Sequence, residues 1–386
     1  VTMLGGGAAE RAGIVPGPGS GRASGGVHTV GLLVNPVAGL GGTVALKGSD
    51  GAEAQRRARA LGAAPRAAER AALALAELRT RLPGVRVVTV AGDMGEDVLP
   101  GAAEVVCDRP LRTTAADTRR AAGALIEAGA GLLLFAGGDG TARDVLDALG
   151  GGFPAVGIPA GVKMHSAVYA VSPRAAGEVA AAYLSGAATA APSEVMDRDG
   201  DDIVLYGLLS VPRVAERVQR GKVGSSLTGG DDLAGIAAEV DAGRRAGGVD
   251  VYGPGTTTHG VLRLLGVDAP PTGVTAVADG SCLAADADAA ALLRLSTGRP
   301  ARIVVSPIGG QGFLFGRGNQ QITPALLRAV GRDGVVVVCG ETKLAALGGR
   351  PLLVDTGDDA LDRSLTGYLP IVTGRRRHVM YRVGER

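Results

Sequence analysis

The sequence predicts an α/β fold, with a doubly wound parallel-sheet N-terminal domain followed by a β-rich C-terminal domain. Three observations predict it. Short apolar runs at 30–34, 131–136 and 155–158 have the length and character of strands buried on both faces. Helix-forming stretches alternate with these runs, as in a sheet wound by crossover helices. After about Met196 the pattern shifts to short strands separated by turns, with fewer long helices.

Residues 1–27 are rich in Gly, Ala, Pro and Ser without periodicity and read as a mobile tail. Val30 to Val34 is a strand that Asn35-Pro36 ends in a loop. Residues 52–82 are Ala-, Arg- and Glu-rich and helical, with a break forced at Pro65. Val85 to Val90 and Glu104 to Cys107 are further short strands. Thr113 or Thr114 caps a helix running to about Glu127, with Asp117 in its first turn. The apolar run 131–136 leads directly into Gly137-Gly138-Asp139-Gly140-Thr141, and a helix follows over Ala142 to Leu149. Ala155 to Ile158 is the next strand. Beyond it, 203–211, 273–278, 281–285 and 302–306 read as strands, with one helix near 231–245. The expected division is an α/β domain over 28–196 that carries the 137–141 turn, a β-rich domain over 197–345, and a C-terminal segment, 346–386, that packs back on the first domain.

Bulk properties narrow the function. The chain has 386 residues, 46% of them hydrophobic, enough for two cores. A net charge of +2 gives no reason to expect a nucleic acid or a polybasic membrane contact. Cys107, Cys282 and Cys339 are far apart and form no CxxC pair, so neither a disulfide framework nor a zinc site is indicated. No apolar stretch reaches the roughly 18 residues that span a bilayer, and no signal-peptide pattern opens the chain. The expectation is a cytoplasmic protein. Lysine occurs only at 47, 163, 222 and 343, and asparagine only at 35 and 319. Where arginine has displaced lysine so widely, a remaining lysine suggests a need for a compact point charge.

The glycines of the 137–141 turn let the backbone bend sharply and approach a ligand, and their N–H groups can hold phosphate oxygens at a helix start. No GK[ST] follows, so this is not a Walker A loop, and the spacing is not GxGxxG. Other candidates cluster around similar turns. Lys47 and Asp50 lie in a glycine-framed loop, 39–51, after the first strand. Lys163 and His165 follow the 155–158 strand and face the same sheet edge as Asp139. Thr256, Thr257 and Thr258 after Gly255 offer hydroxyl and N–H donors. Arg375-Arg376-Arg377-His378 reads as a solvated face.

The GGDGT turn resembles the signature shared by NAD kinases and by diacylglycerol and sphingosine kinases. Asn35-Pro36-Val37-Ala38-Gly39 is similar to the NP-x-AG opening of that superfamily. The segments Gly41 to Gly51, Gly157 to Ala167, Gly253 to Thr258 and Ser306 to Gln321 resemble the ATP-NAD kinase family, in the polyphosphate- or ATP-dependent branch that includes the acetoin-catabolism protein X. The resemblance runs from about residue 28 to the C-terminus. It implies phosphoryl transfer from ATP or polyphosphate to the 2′-hydroxyl of NAD, with Mg²⁺ or Mn²⁺. It makes Asp139 the candidate base, a metal contact or both, and Lys163 a phosphate-neutralising partner. Asn35, Gly39, Lys47, Asp50, Gly137, Gly138, Gly140, Thr141, His165, Gly255, Thr256, Thr257 and Thr258 are then the binding residues, no protein metal ligands are expected, and a homo-oligomer is the expected state. The chain departs from ordinary NAD kinases in two places. Glu194-Val195-Met196-Asp197 stands where an Asn-Glu/Asp motif is expected, and Gly253 to Thr258 lacks the tyrosine of their TPTGSTAY segment. The alternatives are a lipid kinase and a non-catalytic nucleotide-binding regulator of acetoin catabolism. Only 3% aromatic residues and no membrane-docking amphipathic helix count against the first. Retention of Asp139 and Lys163 counts against the second.

Overall fold

The computed structural model describes residues 28–46, 52–109, 113–162, 164–199, 202–219 and 230–384. The tail 1–27, Lys47, Asp50 and Lys163 lie outside them.

The chain begins with β1 (Thr29–Val34), α1 (Ala52–Ala60), α2 (Ala67–Arg81), β2 (Arg86–Val90), β3 (Glu104–Cys107), α3 (Ala115–Glu127), β4 (Leu132–Gly137), α4 (Asp139–Leu149), β5 (Ala155–Pro159) and α5 (Pro173–Leu184). The five strands form a parallel sheet in the order β3-β2-β1-β4-β5. Every residue of β4 is buried, which is why its sequence is continuously apolar rather than alternating. Helix α3 starts where its cap residues place it: the Thr114 N–H donates to Asp117 Oδ2 at 2.9 Å.

Next come β6 (Ala190–Asp199) and β7 (Asp202–Pro212), which pair antiparallel as a separate two-stranded sheet. The second of these strands lies beyond residue 197, where the second domain was expected to open. Instead Val195, Leu209 and Val211 are buried in the core of the first sheet.

The remainder runs through α6 (Gly230–Ala242), β8 (Val249–Tyr252), α7 (Thr256–Leu264), β9 (Thr275–Ala278), β10 (Ser281–Ala284), α8 (Ala289–Ser296), β11 (Ala301–Val305), β12 (Phe313–Phe315), α9 (Pro324–Val330), β13 (Val335–Val338), α10 (Glu341–Ala345), β14 (Leu353–Val354), α11 (Asp359–Leu365), β15 (Gly367–Gly374) and β16 (Arg377–Val383). Seven of these strands form a mixed sheet, β10-β9-β8-β11-β13-β15-β16. Its centre, β8, β11, β13 and β15, is parallel. Helices are more numerous here than the sequence texture suggests. The C-terminal strands also differ from expectation: β15 and β16 complete this second sheet and do not return to the first. The stretch from Leu353 to Asp359 does reach back, through contacts with α2 and α5. Arg377 sits on the surface, paired with Asp232 and Glu341.

The two sheets are pinned together by one buried charge cluster. The Asp355 carboxylate, 4% exposed, accepts from Arg70 of α2 at 2.5 Å and from Arg317. Arg70 also donates to the Pro159 carbonyl, and Arg317 to the Val171 carbonyl at 3.2 Å. Burial alone pushes the Asp355 carboxyl up, but the charges of Arg70 and Arg317 outweigh it and hold it below the usual range. Its stabilising effect is therefore present above the unfolded carboxylate value, about pH 4, and is lost as pH falls through the lower folded value.

Replacing Asp355 by Asn leaves two buried guanidinium groups without their counter-charge. We expect a loss of about 3–5 kcal/mol in unfolding free energy, measured by chemical denaturation. A change too small to resolve would show that the cluster does not hold the sheets together.

Candidate functional site

In the first sheet the strand order reverses between β1 and β4, so the carboxyl ends of these two strands open a crevice. Asn35 follows β1, and its N–H donates to the Ala136 carbonyl at 2.9 Å. Its side chain then spans to β4's turn: Nδ2 donates to Thr141 Oγ1 at 2.9 Å, and Oδ1 accepts from the Val37 N–H at 3.2 Å. Thus Asn35-Pro36 and GGDGT, far apart in sequence, form one corner.

Gly138, in extended conformation, caps α4, which starts at Asp139 rather than at Ala142. The chain leaving β5 folds over this turn, with the Ala160 and Gly161 N–H groups both on the Gly137 carbonyl at 3.0 and 2.9 Å. The approach is too close for side chains. A Cβ on Gly161 would lie 2.7 Å from the Gly138 Cα. Gly39 is constrained similarly: its φ is +80°, and a Cβ would meet the Ala160 carbonyl oxygen at 2.5 Å. Below the turn, the buried Tyr169 hydroxyl donates to the Gly138 carbonyl at 2.5 Å.

This folding-over brings residues 165 and 166 onto Asp139. The His165 N–H donates to Oδ2 at 2.6 Å, while the Ser166 N–H and hydroxyl donate to Oδ1 at 3.1 and 2.7 Å. Asp139 is 6% exposed, and burial lifts its carboxyl to about 6. The three donors pull the value back down, and the negative charge of Asp197 adds to the rise. The position at the start of α4 also favours an anion. The result is a carboxylate that is ionised at neutral pH yet accepts a proton more readily than an exposed one.

One turn further along α4, Arg143 pairs with Asp197 of β6 at 3.2 Å and lies 5.1 Å from the Tyr206 ring centre of β7. These contacts tie the β6–β7 pair to the helix that carries Asp139.

Two cavities meet at this corner. The first, about 440 Å³, is lined by Asn35, Gly39, Asp139, Thr141, Arg143 and Asp197 among others. The second, about 340 Å³, lies against the second sheet and is lined by Thr256, Ser306, Asn319 and Lys343 among others. His165 and Arg198 line both. A third cavity, about 520 Å³, lies elsewhere, between α2 and α11 beside Asp355, and contains none of these groups.

Of the expected residues, Asn35, Gly39, Gly138, Asp139, Gly140, Thr141 and His165 line the first cavity. Gly137 supplies the carbonyl beneath it. Gly255 and Thr256 line the second. Thr257 and Thr258 are buried in the first turn of α7, where the Thr258 hydroxyl donates to the Gly255 carbonyl at 3.1 Å, and neither lines either of these two cavities. Sequence reasoning missed Ser166, Arg143 and Arg198. The one available signal was the four-residue spacing from Asp139 to Arg143, which puts both on one helix face.

Among the described residues no helix is long and apolar enough to cross a membrane. Two family models match the chain: the ATP-NAD kinase N-terminal domain over 30–188 and the ATP-NAD kinase C-terminal domain over 249–383. The chain belongs to the ATP-NAD kinase family, and it is a kinase-type phosphotransferase of NAD kinase type. The comparison with individual curated proteins gives no match. Residues 189–248, which include the β6–β7 pair and α6, fall between the two matched regions.

The Gly161–Gly138 contact sets the height of the turn above Asp139. Gly161→Ala should displace it by enough to lower kcat by about 100-fold, in line with the cost of a misplacement near 1 Å. Circular dichroism should stay that of wild type. Near wild-type turnover in the folded variant would show that the contact does not position the carboxylate.

Proposed function

We propose that the protein transfers the terminal phosphoryl group of ATP or polyphosphate to the 2′-hydroxyl of the adenosine ribose of NAD, giving NADP. The observation that carries this reading is Asp139: a buried carboxylate, lifted to about 6, lining a cavity together with Asn35, Gly39 and Thr141. A ribose hydroxyl is a weak nucleophile at neutral pH. A carboxylate beside it orients the O–H and accepts its proton as the oxygen bonds to phosphorus. The bond from phosphorus to the bridging oxygen breaks, and ADP or a shortened polyphosphate leaves. Phosphoryl transfer needs positioning and charge neutralisation more than covalent help.

The donor's phosphates fit the glycine-lined end of the first cavity, where backbone comes close and α4 begins. Arg143 adds a cation there. Lys163 is assigned to the same task by sequence alone. Lys47 and Asp50 are assigned by sequence alone. No three His, Cys, Asp or Glu side chains among the described residues converge to hold a metal ion. Mg²⁺ or Mn²⁺ would arrive on the donor's phosphates, with phosphate and water as most of its ligands and Asp139 or Asp197 within the same cavity. Bound there, the ion would neutralise phosphate charge.

The purified protein should form NADP from NAD with ATP or polyphosphate and a divalent ion. No NADP from either donor, with either Mg²⁺ or Mn²⁺, would contradict the reading. The base must be ionised to act, so activity should be lost as pH falls through about 6, the value of Asp139. The expected profile is kcat/KM rising about tenfold per pH unit below that value and levelling above it. A flat profile between pH 5 and 7 would remove Asp139 as the base.

A further inference from the structure

Lys343 takes no part in the chemistry assigned above. It is one of only four lysines, and the only one among the described residues. It sits on α10, half-buried, and its Nζ donates to Ser306 Oγ at 2.9 Å. Both residues line the second cavity.

The cavity occupies a position where α/β sheets bind ligands. In the second sheet the chain runs from β8 outward to β9 and β10 on one side, and to β11, β13 and β15 on the other. The reversal lies between β8 and β11, which are parallel neighbours. Gly255 and Thr256 follow the carboxyl end of β8, Ser306 that of β11, and Lys343 that of β13. The second cavity is thus a switch-point crevice in its own right, facing the one that holds Asp139.

Its charge differs in sign from that of the first cavity. Asp139, Asp144 and Asp197 line the first, against the cations Arg143 and Arg198. No Asp or Glu among the described residues lines the second, whereas Lys343, Arg198 and Arg317 do. Arg317 is paired with Asp355, and its Nε has no acceptor among the described residues. Cations on a concave wall without carboxylates concentrate anions. Backbone N–H groups of the first turn of α7 lie at the same edge.

We propose that Lys343, positioned by Ser306, forms with Arg198 a phosphate subsite in the second cavity that holds the non-reacting phosphates of the acceptor. This rests on the reading of Asp139 as the reacting centre. The acceptor is then a phosphate-bearing nucleotide that bridges the two cavities past His165 and Arg198. Its hydroxyl lies at Asp139 and its phosphates lie under Arg198 and Lys343. Uncharged nucleosides and diacylglycerol lack the group that this wall reads.

The test is calorimetric binding of NAD, inorganic pyrophosphate, adenosine and ATP to wild type, Lys343→Met, Lys343→Arg, Ser306→Ala and Asp139→Asn. Methionine keeps most of the lysine's apolar stem and removes the charge. Lys343→Met should weaken NAD and pyrophosphate roughly 10- to 100-fold, the range for a hydrogen bond to a charged group. Adenosine and ATP should bind as to wild type. Lys343→Arg should recover part of the loss, since it keeps the charge without the compact geometry. Ser306→Ala should show a smaller loss in the same two ligands, and it carries the test if Lys343→Met fails to fold. Asp139→Asn should bind pyrophosphate as wild type does. Wild-type affinity for both ligands in the lysine and serine variants overturns the subsite, as does wild type binding neither ligand. A wild type that binds pyrophosphate through Lys343 but does not take NAD supports the subsite and removes NAD as the acceptor. Normal NADP formation and NAD binding in Lys343→Met does the reverse.

Discussion

Burial of the Asp139 carboxylate is the constraint from which the arrangement of this site follows. An ionised carboxylate taken out of water is costly unless donors replace the lost hydration. Three donors do so here, and all come from His165 and Ser166. To deliver them the chain after β5 must double back over the GGDGT turn, which is possible only because Gly138 and Gly161 let two backbones nearly touch. The donors do not fully offset burial, so the carboxyl stays at about 6. Incomplete compensation is useful: it leaves a group ionised at neutral pH that still takes up a proton readily.

The same logic extends outward. Ser166 is itself fixed by β6, through the Met196 N–H donating to its Oγ at 3.0 Å, and by Gln219, whose amide donates to the Ser166 carbonyl at 2.7 Å. Asp197, the next residue of β6, holds Arg143. The β6–β7 pair is therefore part of the wall of the first cavity, although it lies between the two family-matched regions. From the other side, the second sheet contributes contacts to the same loop. Gln311 donates to the Met164 carbonyl at 3.0 Å, and Gln320 to the Val162 carbonyl at 2.7 Å. The loop that supplies the donors to Asp139 is thus held from both sheets. The Arg70–Asp355–Arg317 cluster fixes their separation from below, through the Pro159 carbonyl at the end of β5.

Much of the first sheet was legible because a strand buried on both faces must be apolar throughout, and β1 from Val30 onward, β4 and β5 are. The GGDGT turn was legible because few structures other than a strand-to-helix turn need three glycines around an aspartate. The placement of β6 and β7 was not. Alternating residues identify a strand pair but do not say which core receives its inner face, and Val195, Leu209 and Val211 go to the first. The C-terminal strands show the same limit. The apolar run in β15 marks a strand, while its neighbour β13 is set by long-range pairing that sequence spacing does not encode. Thr256 to Thr258 offered donors in sequence, yet the helix start at Gly255 turns Thr257 and Thr258 inward. Ser166 was hidden for another reason: its role depends on a fold-back contact with Asp139, and nothing in the local sequence marks it.

The central claim is that Asp139 acts as the base on a ribose hydroxyl, and the most direct measurement compares turnover with binding in one variant. Asp139→Asn keeps the shape of the side chain and removes its basicity. The account predicts a fall in kcat of about two orders of magnitude or more, within the usual range for a general base, with NAD and ATP affinities close to those of wild type. A folded Asp139→Asn protein that makes NADP at a near wild-type rate would contradict it.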